Sequence, residues 1–142
     1  MRSVVFTVPG TPVGKGRPRF ARRGNFVATY TPEKTAAYEN LVRLHASIAM
    51  NGSKTLQDAL CCVISVEVVP TPSWSKKKRQ AAICGEISPI GKPDADNVAK
   101  AILDAMTGIV YDDDRQVCDL RVTKRFGETA QAVVKIETMG SV

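Results

Sequence analysis

Alternation of apolar and polar positions is strongest in residues 59–69. Positions 60, 62, 64, 66 and 68 are all apolar, and the odd positions between them mix apolar with polar residues. A two-residue period predicts a strand, and apolar residues on both of its faces are typical of a central strand that is covered at least partly on each side.

Weaker alternation, rich in β-branched residues, predicts four further strands. They span residues 3–8, 26–30, 117–126 and 130–139. The short Gly-Glu-Thr segment 127–129 predicts that the last two strands form a hairpin.

A period of three to four residues replaces the alternation in residues 31–50. The Thr-Pro pair 31–32 predicts the start of a helix, because threonine is a favoured N-cap and proline suits the first helical position. The Asn-Gly pair 51–52 is expected to end it. The predicted core-facing stripe of this helix consists of Ala37, Leu41, Leu44 and Ile48.

A second helix is predicted over residues 96–106, with Gly108 behind it as a left-handed C-cap. Residues 14–24 and 75–90 are predicted to be mobile loops, with a short helix through the lysines of the second as an alternative. The order of elements is ββαβαββ. We predict a single α+β domain over residues 1–142, with one mixed sheet of about five strands and two helices packed on one face.

Length and composition are those of a folded soluble protein. The 142 residues contain no apolar run near the roughly 18 residues of a membrane span. The amino-terminal residues lack the features of a signal peptide, so we expect a cytoplasmic protein. The four cysteines include no C-x-x-C pair, which argues against a zinc site and a disulfide framework. We predict reduced, mostly buried thiols.

Positive charge is concentrated in two segments. The net charge is +6, and the first acidic residue of the chain is Glu33. This asymmetry favours a polyanionic partner, and nucleic acid over a membrane, because no amphipathic apolar face accompanies the basic runs. The basic residues of these segments are Lys15, Arg17, Arg19, Arg22, Arg23, Lys76, Lys77, Lys78 and Arg79.

The segment 92–100, KPDADNVAK, combines paired carboxylates with a lysine. Residues two apart in extended backbone project to the same side, so Asp94 and Asp96 are expected to converge. A helix that starts at Asp96 or Asn97 helps to tolerate both charges, and Lys100 lies one turn beyond Asp96. Oxygen ligands without histidine or cysteine favour Mg²⁺ or Mn²⁺ over zinc. The alternative is a helix N-cap with spare surface aspartates.

Three more carboxylates, Asp112, Asp113 and Asp114, lie between this helix and an apolar strand. Their mutual repulsion opposes folding unless a cation or a basic partner is present. A solvated acidic turn is the alternative. A basic protein that concentrates its acidic residues at two points flanking one helix favours a functional site.

Together these segments resemble the signature of the RusA-type Holliday junction resolvases, small endodeoxyribonucleases frequent in bacteriophages and prophages. The similar segments are KPDADNVAK at 92–100, Asp-Ala at 104–105 and DDRQV at 113–117. The amino-terminal strand that ends in Pro-Gly-x-Pro, the Arg-Pro-Arg loop and the Ser-Trp-Ser-Lys-Lys-Lys segment 73–78 also fit. The resemblance therefore covers nearly the whole chain in order.

The resemblance implies a homodimer that binds a four-way DNA junction and nicks two opposing strands symmetrically with Mg²⁺ or Mn²⁺. By the family pattern, the metal-binding carboxylates correspond to Asp94, Asp96 and Asp114, and the essential lysine corresponds to Lys100. The family usually has an acidic pair at the second position, whereas this chain has three aspartates. Asp113 is therefore a strong alternative ligand, and Asp112 is a weaker one.

The chemistry agrees with these residue types. Phosphodiester hydrolysis needs an activated water and neutralised charge in the transition state, which carboxylate-held cations supply. Lys100 then stabilises the phosphoryl charge or orients the water. The basic residues of the two segments become candidates for contacts to DNA phosphates. Two other interpretations remain open: a nuclease for other branched or flap DNA, and a non-catalytic DNA-binding module with a structural ion.

Overall fold

The computed structural model describes residues 2–16, 19–23, 26–30 and 33–140, and for 19–23 and 26–30 it describes the backbone alone. The elements in chain order are β1 (Ser3–Pro9), β2 (Arg19–Arg23), β3 (Phe26–Tyr30), α1 (Glu33–Met50), β4 (Leu60–Val68), α2 (Lys76–Ile83), α3 (Ala95–Met106), a 3₁₀ turn (Asp114–Gln116), β5 (Val117–Phe126) and β6 (Gln131–Thr138). The predicted α+β class with one mixed sheet is confirmed. The short helix α2 confirms the alternative for the second predicted loop.

The main sheet has the strand order β1-β6-β4-β5. β6 is antiparallel to both β1 and β4, whereas β5 is parallel to β4. β2 and β3 form a separate antiparallel pair. The predicted strand 26–30 is therefore confirmed, but it pairs outside the main sheet. The predicted loop 14–24 is wrong over β2, because pairing with β3 satisfies backbone groups there.

The predicted hairpin between the last two strands is wrong. β5 and β6 lie on opposite sides of β4, so their connection crosses the end of that strand. At the crossing the amide of Gly127 donates to the carbonyl of Val68 over 2.9 Å. A Cβ atom at Gly127 would lie 2.8 Å from Oε2 of Glu67, so this close approach suits glycine. A short polar connection is compatible with β5 pairing either with β6 or with β4. Burial of the strand faces against distant parts of the chain decides between the two pairings.

Both α1 and α3 pack against the sheet and against each other, and the core lies between them and the strands. In β4 one face is fully buried and the other is half-buried, as predicted for a central strand. The buried apolar strand residues of the main sheet are Val4, Phe6, Val8, Leu60, Cys62, Ile64, Val66, Val68, Ala132, Val134 and Ile136.

The predicted core-facing stripe of α1 is confirmed at Leu41, which is partly buried against the core, and is wrong at the other three positions, of which Ala37 is exposed. Leu44 and Ile48 are 54% and 65% exposed, whereas Tyr38, Val42, Ala46 and Met50 face the core. The two stripes are offset by only one or two residues, so both have helical spacing. Periodicity alone could not distinguish them, and packing against α3 and β1 selects the second.

The helix start at residues 31–32 lies outside the described residues. The second predicted helix is α3. It begins at Ala95, one residue earlier than the earliest expected start, and Gly108 follows it with φ of 85°, as expected for a left-handed position. All four thiols are free, but the prediction that most are buried is wrong because Cys84 and Cys118 are exposed. Within the part of the chain that the structure describes, no helix has the length and apolar character of a membrane span.

Candidate active site

The amino end of α3 presents the first two predicted carboxylates. Asp94 is the N-cap residue with extended backbone (φ −70°, ψ 134°), while Asp96 lies inside the first turn of the helix. The expectation that both stand in extended backbone is therefore wrong for Asp96. Both side chains are exposed. Among the described residues, Asp94 accepts one side-chain hydrogen bond, from Nδ2 of Asn97 at 3.2 Å.

The chain that leads into this helix is tied to the sheet by Lys124 of β5. Its Nζ donates to the carbonyls of Gly91 at 2.6 Å and Pro93 at 3.0 Å. A lysine that bonds two carbonyls of the segment before Asp94 limits the positions that the carboxylate can adopt. Sequence reasoning missed this contact, because nothing in the sequence of β5 indicates which of its basic side chains reaches a segment about 30 residues earlier in the chain.

Lys100 lies farther along α3 and is mostly exposed. Its Nζ is 3.9 Å from Oδ2 of Asp104, one turn away, and its side chain is 65% exposed. Oδ2 of Asp104 also pairs with Nζ of Lys15, at 3.2 Å. An exposed lysine with one long ion pair remains available to an anionic ligand, since surface pairs of this kind contribute little free energy.

Tyr111 fixes the segment that carries the second acidic cluster. Its ring is fully buried, and its hydroxyl donates to the carbonyl of Leu103 in α3 at 2.6 Å. Burial raises the pKa of Tyr111, so the hydroxyl keeps its proton. The segment between α3 and β5 is thus attached to the helix that it follows.

Gln116 organises the acidic turn. Its Oε1 accepts the amides of Asp112 and Asp113 at 3.0 and 3.1 Å, and its Nε2 donates to the carbonyls of Leu56 and Asp58 at 2.8 and 3.2 Å. One amide side chain therefore uses both donor and acceptor to join the turn to the segment before β4. The glutamine of the Asp-Asp-x-Gln-Val pattern has a structural role that sequence reasoning did not assign.

We expect Gln116→Glu to destabilise the protein by about 1–3 kcal/mol, because a carboxylate cannot donate to two carbonyls and faces them as an unpaired acceptor. For a chain of this size we expect a loss of roughly 3–10 °C in Tm. Thermal and urea unfolding at neutral pH measure the change. Gln80→Glu on exposed α2 is the matched control and should unfold with the wild type. Equal stability of the two variants would contradict the assigned role of Gln116.

The structure gives the three aspartates different surroundings. Asp112 accepts Oγ1 of Thr55 at 2.7 Å and Nε2 of Gln57 at 2.9 Å. Asp113 caps the 3₁₀ turn: its Oδ1 accepts the amide of Arg115 at 2.9 Å, and its Oδ2 pairs with Nε of that arginine at 3.1 Å. No N–H or O–H donor of the described residues reaches the exposed carboxylate of Asp114.

These contacts also set the protonation of the turn. Hydrogen bonds from Thr55 and Gln57 lower the pKa of Asp112, and the backbone amide of Arg115 lowers the pKa of Asp113. A carboxyl whose folded-state pKa lies below its ordinary value stabilises the fold above that value, near 3.8, and loses this contribution as the pH falls further. The carboxylates of Asp112 and Asp113 are therefore ionised at neutral pH, and both already accept hydrogen bonds from neighbouring residues.

The donor atoms suit a hard divalent cation in type and exposure. Carboxylate oxygens are the ligands that Mg²⁺ prefers, and Asp94, Asp96 and Asp114 are exposed. In the residues that the structure describes, no three acidic, histidine or cysteine side chains are gathered closely enough to hold an ion. Asp94 and Asp96 lie at the amino end of α3, and Asp114 follows its carboxyl end. The residues thus fit a cation held by one or two carboxylates and completed by water and a phosphate.

The second basic segment forms an exposed cationic helix. Lys76, Lys77, Lys78 and Arg79 open α2, which Ser75 caps by accepting the Lys78 amide at 3.2 Å. None of the four is ion-paired with a carboxylate of the described residues.

Two aromatic side chains, Trp74 and Phe126, pack next to α2. Nζ of Lys78 lies 4.1 Å from the ring centre of Trp74, and that ring packs edge-on against Phe126 at 5.5 Å. Trp74 therefore anchors α2 to β5.

The first basic segment is described in part. Arg19, Arg22 and Arg23 lie on β2, whose side chains are outside the described residues, as is Arg17 altogether. Lys15 is described fully, and its ammonium group contacts Glu39 and Asp104.

The chain is similar to known proteins over nearly its whole length. The family model of Endodeoxyribonuclease RusA matches residues 9–137. A Bacillus subtilis (strain 168) protein with the name "Uncharacterized protein YqaN" is 35% identical over 147 aligned positions, which cover 99% of this chain and all of the relative. The family match includes both acidic segments, α2, β4, β5 and nearly all of β6, and it starts at the last residue of β1. The chain belongs to the RusA family of endodeoxyribonucleases.

Proposed function

We propose that this protein is a divalent-metal-dependent endodeoxyribonuclease that resolves four-way (Holliday) DNA junctions by paired, symmetric nicking. The observation that carries the proposal is the exposure of Asp94, Asp96 and Asp114 at the two ends of α3, with Lys100 exposed on the same helix, in a chain of the RusA family. Carboxylates left open to solvent beside a lysine suit a site that binds a cation and a phosphate.

Each group then has a chemical task. Asp94, Asp96 and Asp114 are the proposed carboxylate ligands, one or two of them to each ion, for Mg²⁺ or Mn²⁺, which activates water and neutralises phosphoryl charge when bound. Lys100 contributes a positive charge to the non-bridging phosphate oxygens as negative charge develops. Asn97 orients the carboxylate of Asp94 through its 3.2 Å hydrogen bond. Asp113 stays with the turn that it caps, which leaves Asp114 as the ligand of the acidic cluster.

The basic segments supply affinity without base recognition. The exposed basic residues of α2, together with the arginines of β2, contact phosphates in this proposal, and such contacts bind DNA by its shape and charge more than by its sequence. This suits an enzyme that selects a branched structure. The proposed DNA contacts are Arg17, Arg19, Arg22, Arg23, Lys76, Lys77, Lys78 and Arg79.

The substrate's symmetry implies two active sites. A four-way junction that is nicked on two opposing strands needs two copies of the site related by a two-fold axis, and a homodimer provides them. We propose that a single domain of residues 1–142 forms each half, and that it acts on DNA in the cytoplasm of a bacterial or phage-infected cell.

A synthetic four-way junction incubated with Mg²⁺ tests the proposal, beside duplex and flap DNA of matched length. Symmetric paired nicks that a chelator abolishes, and that added Mg²⁺ or Mn²⁺ restores, are the expected result. Flap-selective cutting would identify a nuclease for other branched DNA. Junction binding without any cut would indicate a non-catalytic module with a structural ion, and either result would refute the proposal.

We expect Lys76→Ala/Lys77→Ala to weaken junction binding and to reduce the slope of log affinity against log salt by roughly 2, because each phosphate contact releases about 0.9 counterion. Alanine preserves helix propensity in α2, and Lys78 is left in place for its contact with Trp74. Fluorescence anisotropy over a range of salt measures the slope. Lys135→Ala is the control, because Glu137 already pairs with that lysine at 2.8 Å. An unchanged slope in the α2 variant would exclude α2 as a DNA contact.

A further inference from the structure

A partly buried charge cluster joins α1, α3 and the segment that precedes β2. Nζ of Lys15 lies 2.5 Å from Oε1 of Glu39 and 3.2 Å from Oδ2 of Asp104. The side chains of Glu39, Lys15 and Asp104 are 9%, 23% and 29% exposed. A carboxylate as buried as Glu39 is costly without a partner, so Lys15 is needed at this place.

The backbone on either side of Lys15 is attached to both helices. The Lys15 amide donates to the carbonyl of Asn97 at 2.8 Å, and the Gly16 amide donates to Oγ1 of buried Thr35 at 3.0 Å. A Cβ atom at Gly14 would lie 3.1 Å from Cβ of Asn97, so glycine permits this close approach. The segment therefore holds Lys15 against the helices, directed inward.

The protonation of Lys15 agrees with this position. Burial lowers its pKa, but hydrogen bonds and charge attraction from Glu39 and Asp104 together raise it above the ordinary value. The ammonium group therefore persists at neutral pH. The ammonium group is enclosed by the carboxylates of Glu39 and Asp104. It is therefore not placed to contact a DNA phosphate.

Asp104 is shared between two lysines at unequal distances. Lys15 reaches it at 3.2 Å from the α1 side, while Lys100 reaches the same oxygen at 3.9 Å along α3. Much of the negative charge of Asp104 is thus compensated by the less exposed lysine. If Lys15 were absent, Lys100 would be the remaining basic partner of Asp104 among the described residues, and its ammonium group would be drawn toward that carboxylate.

We propose that Lys15 is a positioning residue for Lys100 and not a DNA contact. It occupies Asp104 together with Glu39, and so leaves the ammonium group of Lys100 available to the scissile phosphate. This inference rests on the proposed nuclease function for its catalytic consequence, but the internal placement of Lys15 is independent of that function. Lys15 thereby differs from the other basic residues with which the sequence groups it.

The test uses variants that leave no buried charge unpaired. Lys15→Met/Glu39→Gln removes the lysine together with its most buried partner. We expect single-turnover cleavage of the four-way junction to fall by about 10–100-fold, the usual effect of removing a group that orients a reacting one. Junction affinity and its salt slope should not change. Adding Asp104→Asn should restore most of the rate, since Lys100 then has no carboxylate to hold it.

Each alternative gives a different result. If Lys15 contacts DNA, the salt slope falls by about 1 and Asp104→Asn restores nothing. If the cluster is only structural, the triple variant is slower than the double variant and unfolds at a lower temperature. Either outcome overturns the proposal.

A second measurement does not depend on nuclease activity. Brief acetylation of the DNA-free protein, read by peptide mass spectrometry, should label Lys76 and Lys100 faster than Lys15. In Lys15→Met/Glu39→Gln the labelling of Lys100 should fall, and Asp104→Asn should restore it. Fast labelling of Lys15 in the wild type would refute its internal placement. If this pattern holds while no DNA is cut, the proposed function fails and the positioning geometry stands.

Discussion

Asp94→Asn is expected to abolish junction cleavage while junction binding remains. Asparagine has nearly the same shape and can still meet the side chain of Asn97, so the start of α3 should keep its geometry. What it loses is the negative charge that attracts a divalent cation to this exposed position. We expect the single-turnover rate to fall by at least about 10³-fold, which corresponds to ~4 kcal/mol of transition-state stabilisation.

The measurement is cleavage of a labelled four-way junction at saturating protein, beside anisotropy of the same junction. Asp119→Asn is the matched control, because Asp119 is an exposed carboxylate on β5 that the site does not use. It should cut at the wild-type rate. Loss of junction binding in Asp94→Asn would identify a structural carboxylate instead, and a rate near that of the control would remove Asp94 from the site.

Asparagine substitutions across the acidic cluster should separate its three members. Asp114→Asn is expected to reduce cleavage by about 10³-fold without a change in stability, because its carboxylate is exposed and no donor of the described residues reaches it. Asp113→Asn should retain activity within about tenfold, since asparagine is as good an N-cap as aspartate. Asp112→Asn should behave like Asp113→Asn, because asparagine can still accept from Thr55 or Gln57.

Rates at fixed Mg²⁺ and unfolding temperatures, measured on the same preparations, distinguish a ligand from a turn residue. Substitution of a ligand lowers the cleavage rate without lowering the unfolding temperature, whereas a substitution that disturbs the turn lowers the unfolding temperature. If Asp113→Asn is the inactive variant and Asp114→Asn is active, the assignment of the ligand is reversed. Activity in all three would show that the cluster does not serve catalysis.

Local sequence signals predicted several elements correctly. The alternation over 59–69 produced β4, and the glycine behind α3 adopts the left-handed conformation that its position required. These features depend on neighbouring residues and on local backbone sterics, so they can be predicted from the linear sequence. The partners of β5 and the buried face of α1 were predicted wrongly, since both depend on which distant surfaces come together.

The candidate site was likewise predicted in part from local sequence signals. The acidic segments around α3 and the cationic start of α2 could be read from residue types and spacing. The two hydrogen bonds that Gln116 donates and the two that Lys124 donates could not, because each joins segments more than 30 residues apart.

The sequence alone determined the types of group that this protein carries: acidic residues at two points, a lysine between them and two basic segments. Only the tertiary structure decided how these groups differ from one another. Packing of α1 against α3 enclosed Lys15 between Glu39 and Asp104, and the hydrogen bonds of the acidic turn occupied Asp112 and Asp113. Residues of identical type thereby acquire different chemistry, because burial and partners, which are properties of the folded chain, set the free energy of each charge.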